Sequence, residues 1–283
     1  MIISYRVFAS DMDGTLLNDQ KEYNKQLLTK IVKYLNSHKM RFVAATGNRY
    51  LHVKNTFSDI ADQIDYVAEN GAVVVANNKF IYENYLNRNS LLILIKELLS
   101  NPILAGAQII LSGPKQSYIN QTSSELVKRA KRFYPDLITV PNLTQIAQTT
   151  PIYKVALNWH EASDNRKQIA YLNQKFTKIR GTSSGRKGID IISQGISKAT
   201  GLVKLQKHYG LQFKDIMAFG DSGNDLEMIN SVGCGVAVKN ADNQIKKVAD
   251  IVLNETNNQD AVLDSIKKNL IANGAPSSYF NFN

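Results

Sequence analysis

The stretch "SDMDGTLLND", residues 10–19, decides the fold and raises a chemical question. It follows the apolar segment "IISYRVFA", which is typical of a buried strand, and Gly14 and Thr15 then turn the chain away. Two like charges as close in sequence as Asp11 and Asp13 raise each other's pKa unless a cation neutralises them. The stretch therefore indicates a metal ion, or acid–base chemistry, at the end of a strand.

Two simpler interpretations of the acidic pair fail. The spacing superficially matches a calcium-binding EF-hand loop, but Leu16 stands where that loop requires glycine, and the preceding segment is a strand rather than a helix. Capping of the following helix would use one aspartate and leave the second unexplained. The pair is therefore treated as a candidate site.

Composition bounds the class of protein. The chain has 283 residues, enough for two domains, and its 43% hydrophobic and 20% charged residues suit a folded protein with a real core. The single cysteine cannot form an internal disulfide, and the four histidines show no zinc-ligand spacing. No apolar run reaches the ~20 residues that span a membrane, and the layout of a signal peptide is missing. The expected location is the cytoplasm.

Short apolar strands alternate with amphipathic helices at both ends of the chain. This alternation predicts an α/β fold, with a Rossmann-like three-layer core domain, residues 1–82 and 188–283, whose parallel sheet is covered on both faces. Over residues 83–187 the predicted order of elements changes to helix, strand pair, helix, strand, helix, strand pair. This order predicts an inserted α+β domain. The tail "GAPSSYFNFN" is expected to be loosely held.

The predicted insert carries most of the net charge of +10. Residues 83–187 contain 15 Lys and Arg against 6 Asp and Glu, whereas the remaining residues contain 19 against 18. A basic cleft concentrates anionic ligands, so the insert is expected to face an anionic partner. A solvated basic surface would explain the same excess.

Three further stretches put polar residues at the sheet edge that holds the acidic pair, where such sheets bind ligands. "FVAATGN" ends a strand with Thr46 and Gly47, whose hydroxyl and backbone N–H suit a phosphoryl oxygen. "GISKATGL" places Lys198 at a helix start, where the dipole gives a cation no benefit. "MAFGDSGNDLEMI" ends another strand with Asp221 and Asp225. The four stretches in this order are far more specific than any one of them.

With these residues the sequence resembles the haloacid dehalogenase (HAD) superfamily of phosphohydrolases, and within it the Cof-type members, which carry a large α/β cap inserted after the third core strand. "DMDGTLL", "ATG", "GISK" and "GDSGND" are similar to the four family motifs. "ENGA", residues 69–72, and "VKNADNQIKKVAD", residues 238–250, are similar to recurrent Cof-type segments. One position departs from the pattern, because members commonly read Thr-Gly-Arg and here Asn48 precedes Arg49.

The resemblance implies a mechanism. Asp11 would be the nucleophile that forms an aspartyl-phosphate, and Asp13 would protonate the leaving alcohol and then activate water. Thr46 and Lys198 would share in catalysis, and Lys198 would offset the charge on Asp11. The resemblance implies Mg²⁺ as the cofactor. Its ligands would be the Asp11 and Asp221 carboxylates, the main-chain carbonyl of Asp13 and waters. Asp225 would either bind the ion directly or hold the residues that do. The implied phosphate-binding residues are Met12, Thr46, Gly47, Lys198 and Asn224.

Three functions remain open. The preferred one is a Mg²⁺-dependent phosphatase of small phosphorylated metabolites such as sugar phosphates. A phosphotransferase or phosphomutase would use the same aspartyl-phosphate. A regulatory or nucleic-acid-binding protein would use the basic insert, although no stripe of interleaved aromatic and basic residues favours nucleic acid.

Contacts to the substrate are harder to predict. The candidates are Asn70 and, in the turn "SSGRKG" near the return hinge, Arg186 and Lys187. Neither the physiological substrate nor the oligomeric state follows from the sequence.

Overall fold

Two separate β-sheets organise the molecule. The computed structural model describes residues 5–120, 123–159, 165–184 and 188–281. The strands are β1 (Val7–Ser10), β2 (Arg41–Ala45), β3 (Asp65–Ala68), β4 (Val73–Ala76), β5 (Lys79–Glu83), β6 (Gln108–Ser112), β7 (Ser117–Asn120), β8 (Leu137–Val140), β9 (Lys154–Asn158), β10 (Ile179–Ser183), β11 (Gly188–Ser193), β12 (Ile216–Gly220), β13 (Cys234–Ala237) and β14 (Ile251–Val252). The helices are α1 (Lys25–Ser37), α2 (Tyr50–Thr56), α3 (Arg88–Ser100), α4 (Ser124–Ala130), α5 (Leu143–Thr149), α6 (Arg166–Lys175), α7 (Lys198–Tyr209), α8 (Leu226–Ser231), α9 (Asn243–Val248) and α10 (Ala261–Ala272).

The first sheet has the strand order β14-β13-β12-β1-β2-β3-β4-β5. Strands β14 to β3 run parallel in this order, and β4 and β5 add an antiparallel hairpin at one edge. Every residue of β1 is buried, as expected where helices cover both faces of a sheet. Helix α1 packs with α10, and α7 packs with α8. The predicted α/β class with a parallel, helix-covered core sheet is confirmed.

The second sheet has the order β10-β11-β9-β6-β7-β8 and is antiparallel except for the pair β7 and β8. It has its own hydrophobic core, in which Leu94, Val155 and Ile191 are buried. The predicted insertion of a second α+β unit is confirmed. We call the part of the chain between β5 and α7 the insert.

The predicted boundary at residue 187 falls directly before a strand of the second sheet. Strand β11 begins at Gly188, yet it pairs with β9 and β10 in the second sheet. The sequence "GIDIIS" alone does not say which sheet its strand joins, because an apolar strand suits either core. We therefore propose that the chain returns to the first domain between Ser193 and Lys198.

The hairpin of β4 and β5 was not predicted. Its turn places Asn77 and Asn78 at φ 48° and 60°, in the left-handed region that asparagine tolerates. The pattern "ANNK" between two apolar runs is the signal that could have revealed it. Strand β8 and helix α5 were also not predicted.

The chain's tail is held more firmly than expected. Phe280 is 1% exposed, and its ring centroid lies 5.8 Å from that of Tyr34 on α1. The prediction of a loosely held tail is therefore wrong up to residue 281, because one aromatic side chain is enough to anchor it. Over the described ranges, no helix is long and apolar enough to cross a bilayer.

Candidate active site

The parallel strands bring the polar loops to one edge of the first sheet. Ser10 at the end of β1 is paired with Phe219 of β12 on one side and with Ala44 of β2 on the other. The residues that follow these strands, Asp11, Asp221 and Thr46, therefore emerge side by side. Three of the four sequence stretches meet here for this reason, and α7 brings the fourth.

Lys198 lies at the centre of this site. Its Nζ is 2.5 Å from Asp11 Oδ1 and 2.6 Å from Asp225 Oδ1, and its side chain is 0% exposed. Burial alone lowers the pKa of Lys198, but the carboxylates of Asp11 and Asp225 raise it above its ordinary value, so the ammonium stays charged. Helix α7 begins at Lys198 because Ser197 caps it by accepting a hydrogen bond from the Thr200 N–H.

The loop after β12 is held in shape by Asp225. Its Oδ2 accepts hydrogen bonds from the backbone N–H groups of Asp221 and Ser222, each at 3.1 Å. Both carboxylate oxygens of Asp225 are thus engaged, one by Lys198 and one by the backbone. Gly220 makes room for this turn, since a Cβ there would lie 2.6 Å from the Asp225 Cβ.

Asp221 completes an acidic cluster. Carboxylate oxygens of Asp11, Asp221 and Asp225 lie within 4.8 Å of one another. Burial, followed by the nearby Asp225 carboxylate, raises the pKa of Asp221 to about 6. Burial likewise raises the pKa of Asp11, and Lys198 only partly offsets this rise. Such excess negative charge on an all-oxygen donor set fits a hard divalent cation such as Mg²⁺.

The Asp13 carboxylate turns away from this cluster. Its Oδ1 is 2.6 Å from Lys21 Nζ, and its Oδ2 accepts a hydrogen bond from Asn48 Nδ2 at 2.6 Å. The side chain is 34% exposed and lines the cavity described below. Metal binding through the main-chain carbonyl of Asp13 stays a prediction.

Thr46 and Gly47 lie on the loop after β2. The Thr46 hydroxyl accepts a hydrogen bond from the Asn48 N–H at 3.0 Å, and both Thr46 and Gly47 line the cavity. The Met12 side chain is 0% exposed within the hydrophobic core, so only its backbone could reach a phosphate.

Asn70 and Asn224 bind each other instead of meeting the cavity together. Asn70 has a left-handed backbone, φ 55° and ψ 30°, and its Oδ1 accepts a hydrogen bond from Asn224 Nδ2 at 3.1 Å. Its Nδ2 donates to Asp190 Oδ2 of the insert at 2.7 Å. Among the described residues, Asn224 lines the cavity and Asn70 does not. A direct substrate contact by Asn70 stays a prediction, and in this structure the side chain joins the two domains.

The other two candidate substrate contacts, Arg186 and Lys187, lie outside the described residues. Their assignment stays a prediction.

A cavity of about 470 Å³ opens between the acidic cluster and the insert. From the first domain it is lined by Asp11, Asp13, Lys21, Thr46, Asn48 and Asp221, among others. From the insert it is lined by apolar and aromatic side chains together with amides and cations, including Ile110, Phe133, Tyr134, Trp159, Gln108, Asn158, Arg129 and Lys154. Its size is that of a small-metabolite site.

A buried ionic network, not predicted from the sequence, joins the insert to the first domain. Lys154 Nζ lies 2.5 Å from the Gly47 carbonyl, 3.0 Å from Asp190 Oδ2 and 3.6 Å from Glu69 Oε2. All three charged side chains are at most 3% exposed. A charged residue inside an apolar strand, as in "YKVALN" and "GIDIIS", is the signal that could have revealed it, because such residues need buried partners.

Arg49 makes a second buried link. Its guanidinium donates to Ser112 Oγ at 3.1 Å and to the Gly113 carbonyl, and it lies 2.5 Å from Asp136 Oδ2. The side chain is 2% exposed. Arg49 thus binds the insert, which answers the question raised by its displaced position after Asn48.

Comparison with known proteins finds a matching sequence model, similar sequences and a similar structure. The sequence model of haloacid dehalogenase-like hydrolases matches residues 8–266. The 5-amino-6-(5-phospho-D-ribitylamino)uracil phosphatase of Escherichia coli is 32% identical over 94% of this chain and 96% of its own. A Bacillus subtilis phosphatase of the same description is 25% identical over 94% of this chain and 96% of its own. The crystal structure of SMU.1108c from Streptococcus mutans superposes with a TM-score of 0.87 at 31% identity, covering 95% of this chain and 100% of that one.

Proposed function

We propose that this chain, which belongs to the haloacid dehalogenase-like hydrolase family, cleaves phosphate monoesters by way of a phosphoryl group carried on Asp11, with Mg²⁺ as cofactor. Membership of the family makes the chain a phosphomonoesterase of small phosphorylated metabolites. The observation that carries the proposal is the Asp11 carboxylate, held by Lys198 at 2.5 Å on the wall of the cavity. A buried, charge-compensated carboxylate facing such a cavity suits nucleophilic attack.

In the first step a carboxylate oxygen of Asp11 attacks phosphorus, and the bond from phosphorus to the ester oxygen breaks. Asp13 gives its proton to that oxygen, so the alcohol leaves neutral. Lys198 and the Thr46 hydroxyl stabilise the charge on the phosphoryl oxygens. The products of this step are the alcohol and an aspartyl-phosphate at Asp11.

In the second step a water molecule attacks the phosphorus of the aspartyl-phosphate. The Asp13 carboxylate takes the proton of this water, and the bond between phosphorus and Asp11 breaks. Inorganic phosphate leaves, and the Asp11 carboxylate is restored.

The residues present fit Mg²⁺. When bound, the ion supplies positive charge beside the phosphoryl oxygens in a site that otherwise carries excess negative charge. Asp11 and Asp221 would hold it through their carboxylates and Asp13 through its main-chain carbonyl. Asp225 suits a supporting role better, because both its oxygens already accept hydrogen bonds.

The side chains that line the insert side of the cavity support a proposal for the class of substrate. Trp159 and Phe133 offer flat apolar surfaces, while Gln108 and Asn158 offer amide groups that can pair with hydroxyls or with the edge of a planar ring. The Escherichia coli and Bacillus subtilis relatives are named for a substrate that joins a phosphorylated ribityl chain to a uracil ring. Sugar and polyol phosphates are therefore the proposed class, and polyol phosphates that carry such a ring are the first to test.

A screen of phosphate release in the presence of Mg²⁺ tests this function. The panel contains 5-amino-6-(5-phospho-D-ribitylamino)uracil, simple sugar and polyol phosphates and p-nitrophenyl phosphate. We expect the wild type to release phosphate from polyol phosphates, and Asp11→Asn to lose more than nine-tenths of that activity. Asp62→Asn, which makes the same change at an exposed ion pair with Lys54, is the matched control.

Two results would overturn the proposal. Asp11→Asn could keep a tenth or more of the activity while folded, which would exclude Asp11 as the nucleophile. Alternatively, the phosphoryl group could pass to an added sugar with no net phosphate release, which would indicate a phosphotransferase.

A further inference from the structure

The adjacent residues Asn48 and Arg49 bind on opposite sides of the cleft. The Asn48 side chain donates a hydrogen bond to Asp13 Oδ2 at 2.6 Å, within the first domain. The Arg49 side chain enters the insert and is 2% exposed. One short loop therefore contacts both the acid–base carboxylate and the domain that closes over it.

The insert binds the loop of residues 47–49 through buried contacts. Arg49 is bound there by Asp136, Ser112 and the Gly113 carbonyl. A buried guanidinium depends on such partners, because an unpaired charge in the interior is costly. Two residues earlier, the Gly47 carbonyl accepts a hydrogen bond from Lys154 of the insert at 2.5 Å. The insert thus fixes the backbone on both sides of Asn48.

Asn48 is the better candidate of the two partners that orient Asp13. The other partner, Lys21, has a side chain that is 52% exposed, and an exposed ion pair contributes little and exchanges readily with water. Asn48 lies on a loop clamped by buried contacts, and its backbone N–H is in turn bound to the Thr46 hydroxyl at 3.0 Å. A fixed amide defines the direction of the carboxylate more closely than a mobile ammonium does.

We infer that Asn48 is a positioning residue for Asp13, and that Arg49 and Asp136 make this positioning depend on the docked insert. The inference rests on the proposed function, in which Asp13 gives its proton to the leaving oxygen. When the insert is seated, Arg49 holds the loop, and Asn48 then aims the Asp13 carboxyl at that oxygen.

The inference predicts a dependence on the leaving group. An alkyl alcohol is a poor leaving group and needs the proton from Asp13, whereas p-nitrophenolate leaves readily without it. The ratio kcat/KM covers steps up to departure of the alcohol, so later hydrolysis of the aspartyl-phosphate does not obscure the comparison. For Asn48→Ala we expect kcat/KM to fall by about 10- to 100-fold with alkyl phosphates and by about threefold with p-nitrophenyl phosphate.

Asp136→Asn tests the role of the insert from a residue that does not line the cavity. We expect a loss of about threefold to tenfold with alkyl phosphates and a smaller loss with p-nitrophenyl phosphate. The loss is moderate because Arg49 keeps Ser112, the Gly113 and Pro114 carbonyls and Glu69 as partners. The double variant Asn48→Ala/Asp136→Asn should be no worse than Asn48→Ala alone, since Asp136 acts through Asn48. Asp62→Asn controls for the loss of one carboxylate, and thermal melting confirms that each variant is folded.

The outcomes separate the inference from the function on which it rests. Folded Asn48→Ala with equal losses for both kinds of substrate, or with none, overturns the positioning role. If the losses of kcat/KM from Asn48→Ala and Asp136→Asn multiply in the double variant, the two residues act independently, and the link through the insert is overturned. Failure of the proposed function itself would show as a wild type that releases no phosphate or as an active Asp11→Asn.

Discussion

Lys198 Nζ lies 2.5 Å from Asp11 Oδ1, and neither side chain is more than 7% exposed. The same ammonium is 2.6 Å from Asp225 Oδ1, so a single cation stands between two buried carboxylates. Burying like charges so closely is unfavourable unless a cation shares their field. The structural and the proposed chemical roles of Lys198 therefore cannot be separated.

Replacing Lys198 should cost both stability and activity. We expect Lys198→Met to lower the free energy of unfolding by about 3 kcal/mol at neutral pH, because Asp11 and Asp225 lose their cation. Without it, the folded-state pKa of Asp11 rises further above its unfolded value. The stability gap to the wild type should therefore be small at acidic pH and grow as the pH rises. Urea unfolding at several pH values measures this gap, and a gap independent of pH would contradict the account.

Mg²⁺ should stabilise the protein in a pH-dependent way. Burial raises the pKa of Asp221 to about 6, so the folded state without metal favours a protonated Asp221 below that pH. The stability that this proton supplies is lost as the pH rises through 6, and a cation can then take its place. A hundredfold excess of Mg²⁺ over its dissociation constant stabilises by about 2.7 kcal/mol. We expect a clear rise in Tm with Mg²⁺ at pH 7.5 and a much smaller one at pH 5.

Asp221→Asn is the matched control for this measurement. It should abolish most of the Mg²⁺-dependent rise in Tm, whereas Asp62→Asn should leave the rise unchanged. Equal rises at both pH values, or a full rise in Asp221→Asn, would show that the ion binds elsewhere.

Asn70 should be essential to the contact between the two domains. Asn70→Asp would place a carboxylate against Asp190 Oδ2, which now accepts a hydrogen bond at 2.7 Å. We expect a loss of about 3 kcal/mol in the free energy of unfolding, since both groups are buried. Adding Asp190→Asn reverses the donor and the acceptor, and because Lys154 keeps Glu69 as a partner, the double variant should regain part of this loss. A double variant less stable than Asn70→Asp would refute the pairing.

Trp159 should contribute to substrate specificity. Its indole Nε1 donates to the Ala105 carbonyl at 3.1 Å, which fixes the ring on the cavity wall. We expect Trp159→Ala to raise KM about tenfold for a polyol phosphate that carries a planar ring, and far less for a simple sugar phosphate. Steady-state kinetics on both substrates check this, with Trp159→Phe as the conservative control. Equal changes for the two substrates would remove Trp159 from ring recognition.

Much of the site could be predicted from the sequence because parallel strands end at one edge. Asp11, Thr46 and Asp221 each follow a strand, and adjacent pairing of those strands is enough to bring the three together. The α/β class follows in the same way from the alternation of apolar strands and amphipathic helices. These features depend on local pattern, which a single sequence displays.

Contacts across the two domains could not be predicted in this way. The partners of Arg49 and Lys154 depend on how the insert docks, and no period or motif in the sequence encodes that placement. The contact of Asn70 with Asp190 met the same difficulty, because it too depends on how the insert docks. The sequence also did not show that β11 joins the second sheet, because an apolar strand suits either sheet.

The central claim is that Asp11 carries the phosphoryl group, and a covalent intermediate tests it most directly. The protein is mixed with Mg²⁺ and p-nitrophenyl phosphate, whose leaving group needs no proton from Asp13, and is quenched in acid within the first turnover and digested with trypsin. The peptide of residues 7–21, which follows Arg6 and ends at Lys21, is then sequenced by mass spectrometry. Asp13→Asn, which should slow hydrolysis of the intermediate, is run in parallel to increase its amount.

We predict a phosphoryl group on Asp11 in the wild type, more of it in Asp13→Asn, and none in Asp11→Asn. A protein that turns over substrate yet shows the group on another residue, or on no residue in either the wild type or Asp13→Asn, would contradict the account.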